Sequence, residues 1–418
     1  MRLAVAKRSR WLTVAAAFML GACTGGGAEN DIPVTGVEVP AFRAVDTKMR
    51  EILHKLDIPG ASITVAKHGR ILYQRGFGWA DRAAGQAVQP QTLFRIASVS
   101  KAMTAVGVLR AFEAELPAAL DRPVFGAGGL LSGPRYAQVK DPRVLRVTLR
   151  DLLQHTGGWD SNVYEPQYDL VTIARAMNVP APARAADIIE YMLKHRELQF
   201  EPGTRFIYSN FGYNVLGRVL EERTGLPYAE AMRRLVFVPA GVTTAVIGGD
   251  QLAQRLPGET IYYDDPRWPD VPSQTGIGSG PTSYNGFHLQ AMDSHGGWVT
   301  TSADMVRFAD AVDGRAGVAA LLTPATVRLA TTRDPKVPDI IFGLGLELSD
   351  AGWSHNGALT TGTHSKLECL DNGLTWAVVY NSLPADPELG IDGLKATIAV
   401  SITELRAVVL ASVPAAHR

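Results

Sequence analysis

Three stretches of the sequence point to an α+β fold whose antiparallel sheet is built from both ends of the chain. Residues 61–66 and 70–74 are rich in β-formers on either side of His68-Gly69, the pattern of a hairpin. Residues 342–348, 365–370 and 374–381 give three more strand-like runs towards the other end. Between them, from about 115 to 290, Gly- and Pro-rich loops separate short helical segments, so the middle reads as a helical insert.

Each element has a local reason. Phe42, Val45, Met49, Ile52, Leu53 and Leu56 recur near the helical period, and Pro59-Gly60 stops the helix they predict. The hairpin follows. Residues 98–116 then carry Ala102, Met103, Val106 and Leu109 on one apolar side of a second helix. In the insert, 149–153, 185–194, 213–224 and 228–235 are the clearest helices. The loops at 123–134, 179–182 and 262–282 are of the kind that line a cleft. Residues 303–312 and 389–410 read as the last two helices. The folded domain is thus 42–410, with a helical subdomain at about 115–290.

The composition, 46% hydrophobic and 20% charged over 418 residues, is that of a globular protein. Residues 1–23 stand apart. They contain Arg2, Lys7, Arg8 and Arg10 and no acid, followed by an apolar run at 11–22 too short to span a bilayer. The remainder carries 37 basic against 41 acidic groups, with no basic stripe for nucleic acid. Leu20-Gly21-Ala22-Cys23 resembles the lipobox of bacterial lipoproteins, which implies lipidation of Cys23 and residues 24–41, with Gly25-Gly26-Gly27, as a tether. The alternative is an ordinary signal peptide that happens to contain a cysteine. The lipoprotein reading places the protein in the cell envelope, facing the periplasm, with Thr24 favouring the outer membrane of a Gram-negative host. Cys369, the other cysteine, lies in an apolar run and is expected to pack in the core without a disulfide.

The chemistry centres on Ser98-Val99-Ser100-Lys101. A serine and a lysine three residues apart share a helical face, and a first helical turn offers unpaired N–H groups and a dipole that favours an alkoxide. The plainer alternative is a capping serine beside a solvated lysine. With 18 serines and 10 lysines in the chain, chance supplies about 0.4 such matches, so the spacing alone is weak. A neutral serine needs a base, and Lys101 can serve if burial lowers its pKa. Tyr208 offers a second candidate, provided a cation holds its phenol partly ionised. Further pieces follow in order: Leu149 to Gly158, Pro202-Gly203-Thr204 leading to Tyr208-Ser209-Asn210, Gly296-Gly297 before Ser302-Ala303-Asp304, and His355-Asn356-Gly357-Ala358.

Together with Ser98 and Lys101, these pieces resemble the serine β-lactamase-related hydrolases: class C β-lactamases, penicillin-binding peptidases and related esterases. The resemblance covers about residues 42 to 405 and implies a β-lactamase/transpeptidase-like fold acting through an acyl-enzyme at Ser98. It implies Tyr208 as the base for Ser98 or the deacylating water, paired with Lys101; which of the two takes the first proton stays open. Asn210 would hold a substrate amide or the Lys101 side chain. His355, Asn356 and Gly357 would lie on an edge strand facing Ser98, Gly357 admitting the substrate backbone. The N–H groups of Ser98 and Ala358 would form the oxyanion hole.

One position departs from the β-lactamase pattern. Class C enzymes carry Lys where this chain has His355, a residue mostly neutral near pH 7, so carboxylate recognition is expected to be weaker or pH-dependent. An esterase or D-amino-acid peptidase role therefore ranks above a class C-like β-lactamase. A reading of another class is a non-catalytic lipoprotein that binds peptidoglycan fragments; the intact Ser98, Lys101 and Tyr208 argue against it. The expected partners are a small ester, amide or peptide substrate and the membrane through Cys23. No cofactor or metal is expected: the nine histidines are scattered, without His-Glu-x-x-His, and no Gly-x-Ser-x-Gly elbow occurs. His155 and His295 read as structural, and Trp159, Trp298 and Trp353 as core. His364 and Lys366 add charge near the cleft or form a solvated strand face. The oligomeric state is not legible.

Overall fold

Strands from both ends of the chain meet in one antiparallel sheet in the computed structural model, which describes residues 32–317, 319–359, 362–383 and 390–414. The expected leader, Cys23 and the first part of the tether lie outside the described residues. The strands are β1 (Val34–Thr35), β2 (Gly60–Lys67), β3 (Arg70–Asp81), β4 (Gln86–Ala87), β5 (Glu347–Ser349), β6 (Gly352–Leu359), β7 (Thr363–Leu370) and β8 (Leu374–Tyr380). Their order is β1-β3-β2-β8-β7-β6-β5, with β4 on β3. The two ends join where β8 pairs β2, Trp376 opposite Val65 and Val378 opposite Ile63. The β2–β3 hairpin turns at His68 and Gly69, both at positive φ (49° and 74°), the twist-matched geometry of a two-residue loop.

Alternation along β2 decides the layers. Ile63 and Val65 face helices α1 (Arg43–Lys55) and α5 (Gly390–Ser412), forming one core with Val45, Met49, Trp376, Val378, Ile398 and Ile402. Ser62 and Thr64 point the other way and bond the Ser302 hydroxyl (2.9 and 2.7 Å) at the start of α4 (Ser302–Val312). On that second side α2 (Val99–Phe112) is nearly all buried, wedged between the sheet and the helical lobe. Cys369 is fully buried here, as expected of a packing residue.

Most expected helices form, with differences at their ends. The 213–224 helix begins earlier, as α3 (Asn210–Thr224), because the Ser209 hydroxyl accepts from the Gly212 N–H and caps it. A helix at Leu170–Met177 was not foreseen, nor was the small sheet of Phe94–Arg95, Val246–Ile247 and Trp298–Thr300. Residues 342–348 do not make the expected strand. The chain turns at Gly343–Gly345, where the Gly343 N–H reaches the Leu346 carbonyl and Gly345 has φ +83°, leaving only β5 extended.

Candidate active site

Ser98 is the residue before the first turn of α2, and its side chain caps nothing. The capping alternative therefore fails. Two features fix its backbone. Ala97 just before it is held at φ +47°, a costly conformation for a residue with a Cβ. Upstream, the buried Arg95 guanidinium lies 4.3 Å from the Tyr262 ring centroid and donates to the carbonyls of Ser283, Gly249 and Asp250.

Lys101 is fully buried, so the solvated alternative also fails. Its Nζ lies 3.0 Å from Ser98 Oγ and donates to the His295 carbonyl (2.7 Å). Burial draws the ammonium down to about 7, with the charge of Glu165 pulling the other way. The Lys101 Nζ also sits 4.9 Å from the ring centroid of Tyr208. Serine, lysine and tyrosine thus converge from positions over a hundred residues apart.

The electrostatics of Tyr208 differ from expectation. Burial pushes its phenol above the ordinary range, and the charges of Glu165 and Glu347 add to this, against a lowering interaction with Ser98. A lysine that burial has brought close to neutrality supplies too little positive charge to ionise a neighbouring phenol. Burial thus favours the protonated phenol over the partly ionised one.

His155 keeps the structural role expected of it. Its ring stacks on Tyr208 (centroids 4.5 Å apart), and Nδ1 accepts from the Ser209 N–H (3.1 Å), holding the Tyr208–Asn210 turn. Burial keeps His155 and His295 neutral. His295 contributes its carbonyl to Lys101 rather than its ring. Trp159, Trp298 and Trp353 are core residues.

Asn210 does not bond Lys101. Its Nδ2 donates to Glu165 Oε2 (2.9 Å), a cleft residue the sequence reading missed. Glu165 sits in an irregular loop before Pro166, with no motif or periodicity to single it out. Burial raises its carboxyl to about 7, opposed by the Asn210 hydrogen bond and by Lys101.

The His355–Ala358 stretch lies within β6. This strand is only partly an edge, since β5 pairs with Gly352–Ser354 and leaves 355–359 without an outer neighbour among the described residues. Gly357 has a steric reason within the fold itself. A Cβ there would stand 2.3 Å from the Ile96 carbonyl, 2.3 Å from Ser365 Oγ and 3.1 Å from the Ser98 nitrogen. The strand packs directly on the nucleophile turn, and only glycine fits. His355 is buried, with Nδ1 against the Asn356 carbonyl (2.7 Å), so Nδ1 carries the proton. Burial and then Lys101 push it down to about 3; the expected pH-dependent charge is absent.

His364 and Lys366 are not on a solvated face. His364 is buried, and Lys366 Nζ donates to Ser354 Oγ (2.8 Å) behind β6. These two residues border one cavity of about 750 Å³, walled by Ser98, Tyr208, Asn210, Glu165, Phe342 and His355. Among the described residues no group of three or more His, Cys, Asp or Glu is placed to hold a metal ion.

Residues 45–399 match the Beta-lactamase family, and the chain belongs to it as a serine hydrolase. It is 32% identical over 326 residues to esterase EstB of Burkholderia gladioli, covering 74% of this chain and 77% of that protein. It is 25% identical over 349 residues to a D-aminopeptidase of Brucella anthropi, covering 81% and 59%. Its fold is that of the D-amino acid amidase from Ochrobactrum anthropi SV3 (TM-score 0.62, 21% identity, 88% of this chain and 99% of that one).

Proposed function

We propose that Ser98 is the nucleophile of an esterase or amidase, Lys101 its general base and Tyr208 the proton donor to the leaving group. The observation that carries this is the contact between Lys101 Nζ and Ser98 Oγ inside a fully buried site. In its neutral form the Lys101 amine keeps one N–H on the His295 carbonyl and turns its lone pair to the Ser98 hydroxyl. As Oγ attacks the substrate carbonyl, the proton passes to Nζ. The N–H groups of Ser98 and Ala358 receive the oxyanion; one such donor is worth about 3 kcal/mol. The Lys101 proton then leaves through the Tyr208 hydroxyl to the departing alcohol or amine, and water reverses the sequence to free the acid.

The relatives named esterase and D-aminopeptidase support ester and amide substrates. A dedicated β-lactamase is disfavoured by the neutral, buried His355. The lipobox-like stretch at Cys23 supports anchoring in the cell envelope, the outer membrane being favoured in a Gram-negative host. Fluorophosphonate labelling tests the reading: wild type should be tagged and Ser98→Ala should not. Equal tagging of both ends it.

A further inference from the structure

Of the two partners of Lys101, Ser98 lies one turn away at the start of α2, whereas the His295 carbonyl belongs to a distant single-turn helix, Asp293–Gly296. α2 meets that turn at two successive carbonyls: Lys101 Nζ at His295 and the Thr104 hydroxyl at Ser294 (2.6 Å). Helix α3 holds the turn from the other side. A Cβ on Gly217 would stand 2.5 Å from Ser294 Oγ, so helix and turn are in direct contact. The next residue, Arg218, is buried. Its Nη2 donates to Asp293 Oδ2 (2.6 Å), and its Nε stands 2.7 Å from Glu221 Oε2. Asp293 Oδ1 accepts from the Ser294 N–H (2.6 Å). One carboxylate therefore ties the start of the turn to the helix that begins at Asn210, just after Tyr208.

The turn is also a partition. Met292, His295 and Gly296 border the active-site cavity, while Gln290, Ala291 and Asp293 border a second cavity of about 800 Å³ together with Arg218 and Glu221. The exposed Arg135 and Arg184 on its wall show that solvent reaches it. Lys101 faces Glu165, His155, His355, the His295 ring and the rings of Tyr208 and Tyr213. Towards the second cavity its cover is the 293–296 turn. A buried ion pair is costly unless its geometry and remaining hydrogen bonds are good. Here the pair stands on the one turn that separates the amine from a solvated cavity.

We propose that Arg218 and Asp293 are positioning residues for the reaction: their ion pair clamps the 293–296 turn onto α2, fixing the His295 carbonyl on the Lys101 amine and keeping the water of the second cavity away from it. This rests on Lys101 as the base. Neither Arg218 nor Asp293 borders the active-site cavity, so both act through Lys101.

The test is the pH profile of kcat/KM for p-nitrophenyl butyrate, with melting temperatures measured beside it. Arg218→Met and Asp293→Ala should both move the midpoint upwards by about half a unit or more, because water at the amine stabilises its charged form, and should lower kcat/KM about tenfold at pH 7. Arg218→Lys should recover part of the loss. Arg135 borders the same cavity but pairs with Asp187 and Glu190, so Arg135→Met should leave the profile unchanged. The sign in Asp293→Ala is decisive. Charge alone predicts opposite movements, upwards on losing the cation and downwards on losing the anion. Opposite shifts overturn the proposal, as does a midpoint that stays in place in both variants while only the melting temperature falls. Where Arg218→Met does not fold, Asp293→Ala and Arg218→Lys decide by the same signs. A wild-type profile without a midpoint between pH 5 and 9 removes Lys101 as the base and the proposal with it. A wild-type midpoint that the variants do not move removes the positioning role alone.

Discussion

Lys101 Nζ lies 3.0 Å from Ser98 Oγ, and both of the lysine's hydrogen-bond partners are neutral oxygens. Burial draws the ammonium down to about 7, which puts a free amine within reach at neutral pH. The kcat/KM for a neutral ester should therefore rise with pH to a plateau with its midpoint near 7, falling about tenfold per unit below it. A profile flat between pH 5 and 9 would contradict Lys101 as the base.

Removing the amine should separate activity from stability. Lys101→Met should lower acylation by about 10²–10⁴-fold. Its effect on stability has the opposite sign. The folded-state pKa of about 7 lies below an unfolded value of about 10.4, so the unfolded chain binds more protons between those limits and burial of Lys101 costs stability at neutral pH. The variant should melt higher than wild type at pH 7, a gain that shrinks as the pH rises towards 10. A lower melting temperature at pH 7 would count against the assignment.

With Tyr208 as the proposed proton donor, its loss should hurt the step in which a poor leaving group departs. Tyr208→Phe should lose about a hundredfold in anilide turnover but less than about tenfold with p-nitrophenyl esters, whose leaving group needs no acid. Fluorophosphonate labelling of the variant should persist. Equal losses on both substrates, with labelling abolished, would move the base role to Tyr208.

Gly357→Ala places a methyl group 2.3 Å from the Ile96 carbonyl, a backbone atom that cannot swing aside. The strand or the nucleophile turn must shift, at a cost of about 1–3 kcal/mol, read as a lower melting temperature together with reduced esterase activity. Unchanged stability would show that β6 and the Ser98 turn are less tightly apposed.

Neutral His355 gives a β-lactam carboxylate no cation. Nitrocefin should be hydrolysed more slowly than p-nitrophenyl butyrate, and lowering the pH to 5 should not reverse the order, because His355 stays uncharged down to about 3. For the envelope assignment, Cys23→Ser should release the protein from membranes; persistence there would contradict a lipid anchor.

The sheet, α2 and the terminal helix were legible because period-2 and helical patterns report burial directly. The 342–348 run misled because its apolar residues flank Gly343 and Gly345, and composition does not reveal the sharp turn those glycines permit. Of the site, Ser98, Lys101, Tyr208 and the His355–Ala358 strand were named through the family resemblance that their motifs carry in order, since the Ser98–Lys101 spacing alone is weak. Glu165 was not: an acid in an irregular loop carries no periodic signal, and only its packing beside Asn210 distinguishes it.

The amino-acid order by itself determined which functional groups exist and which segments carry them: a hydroxyl and an amine one helical turn apart, a phenol before a capped helix, a histidine in place of a lysine. Only the tertiary structure decided their protonation. How readily an amine gives up its proton, or a phenol or a carboxyl keeps one, depends on how completely distant segments exclude water from it. Exclusion of water is a property of the whole packing and of no single stretch.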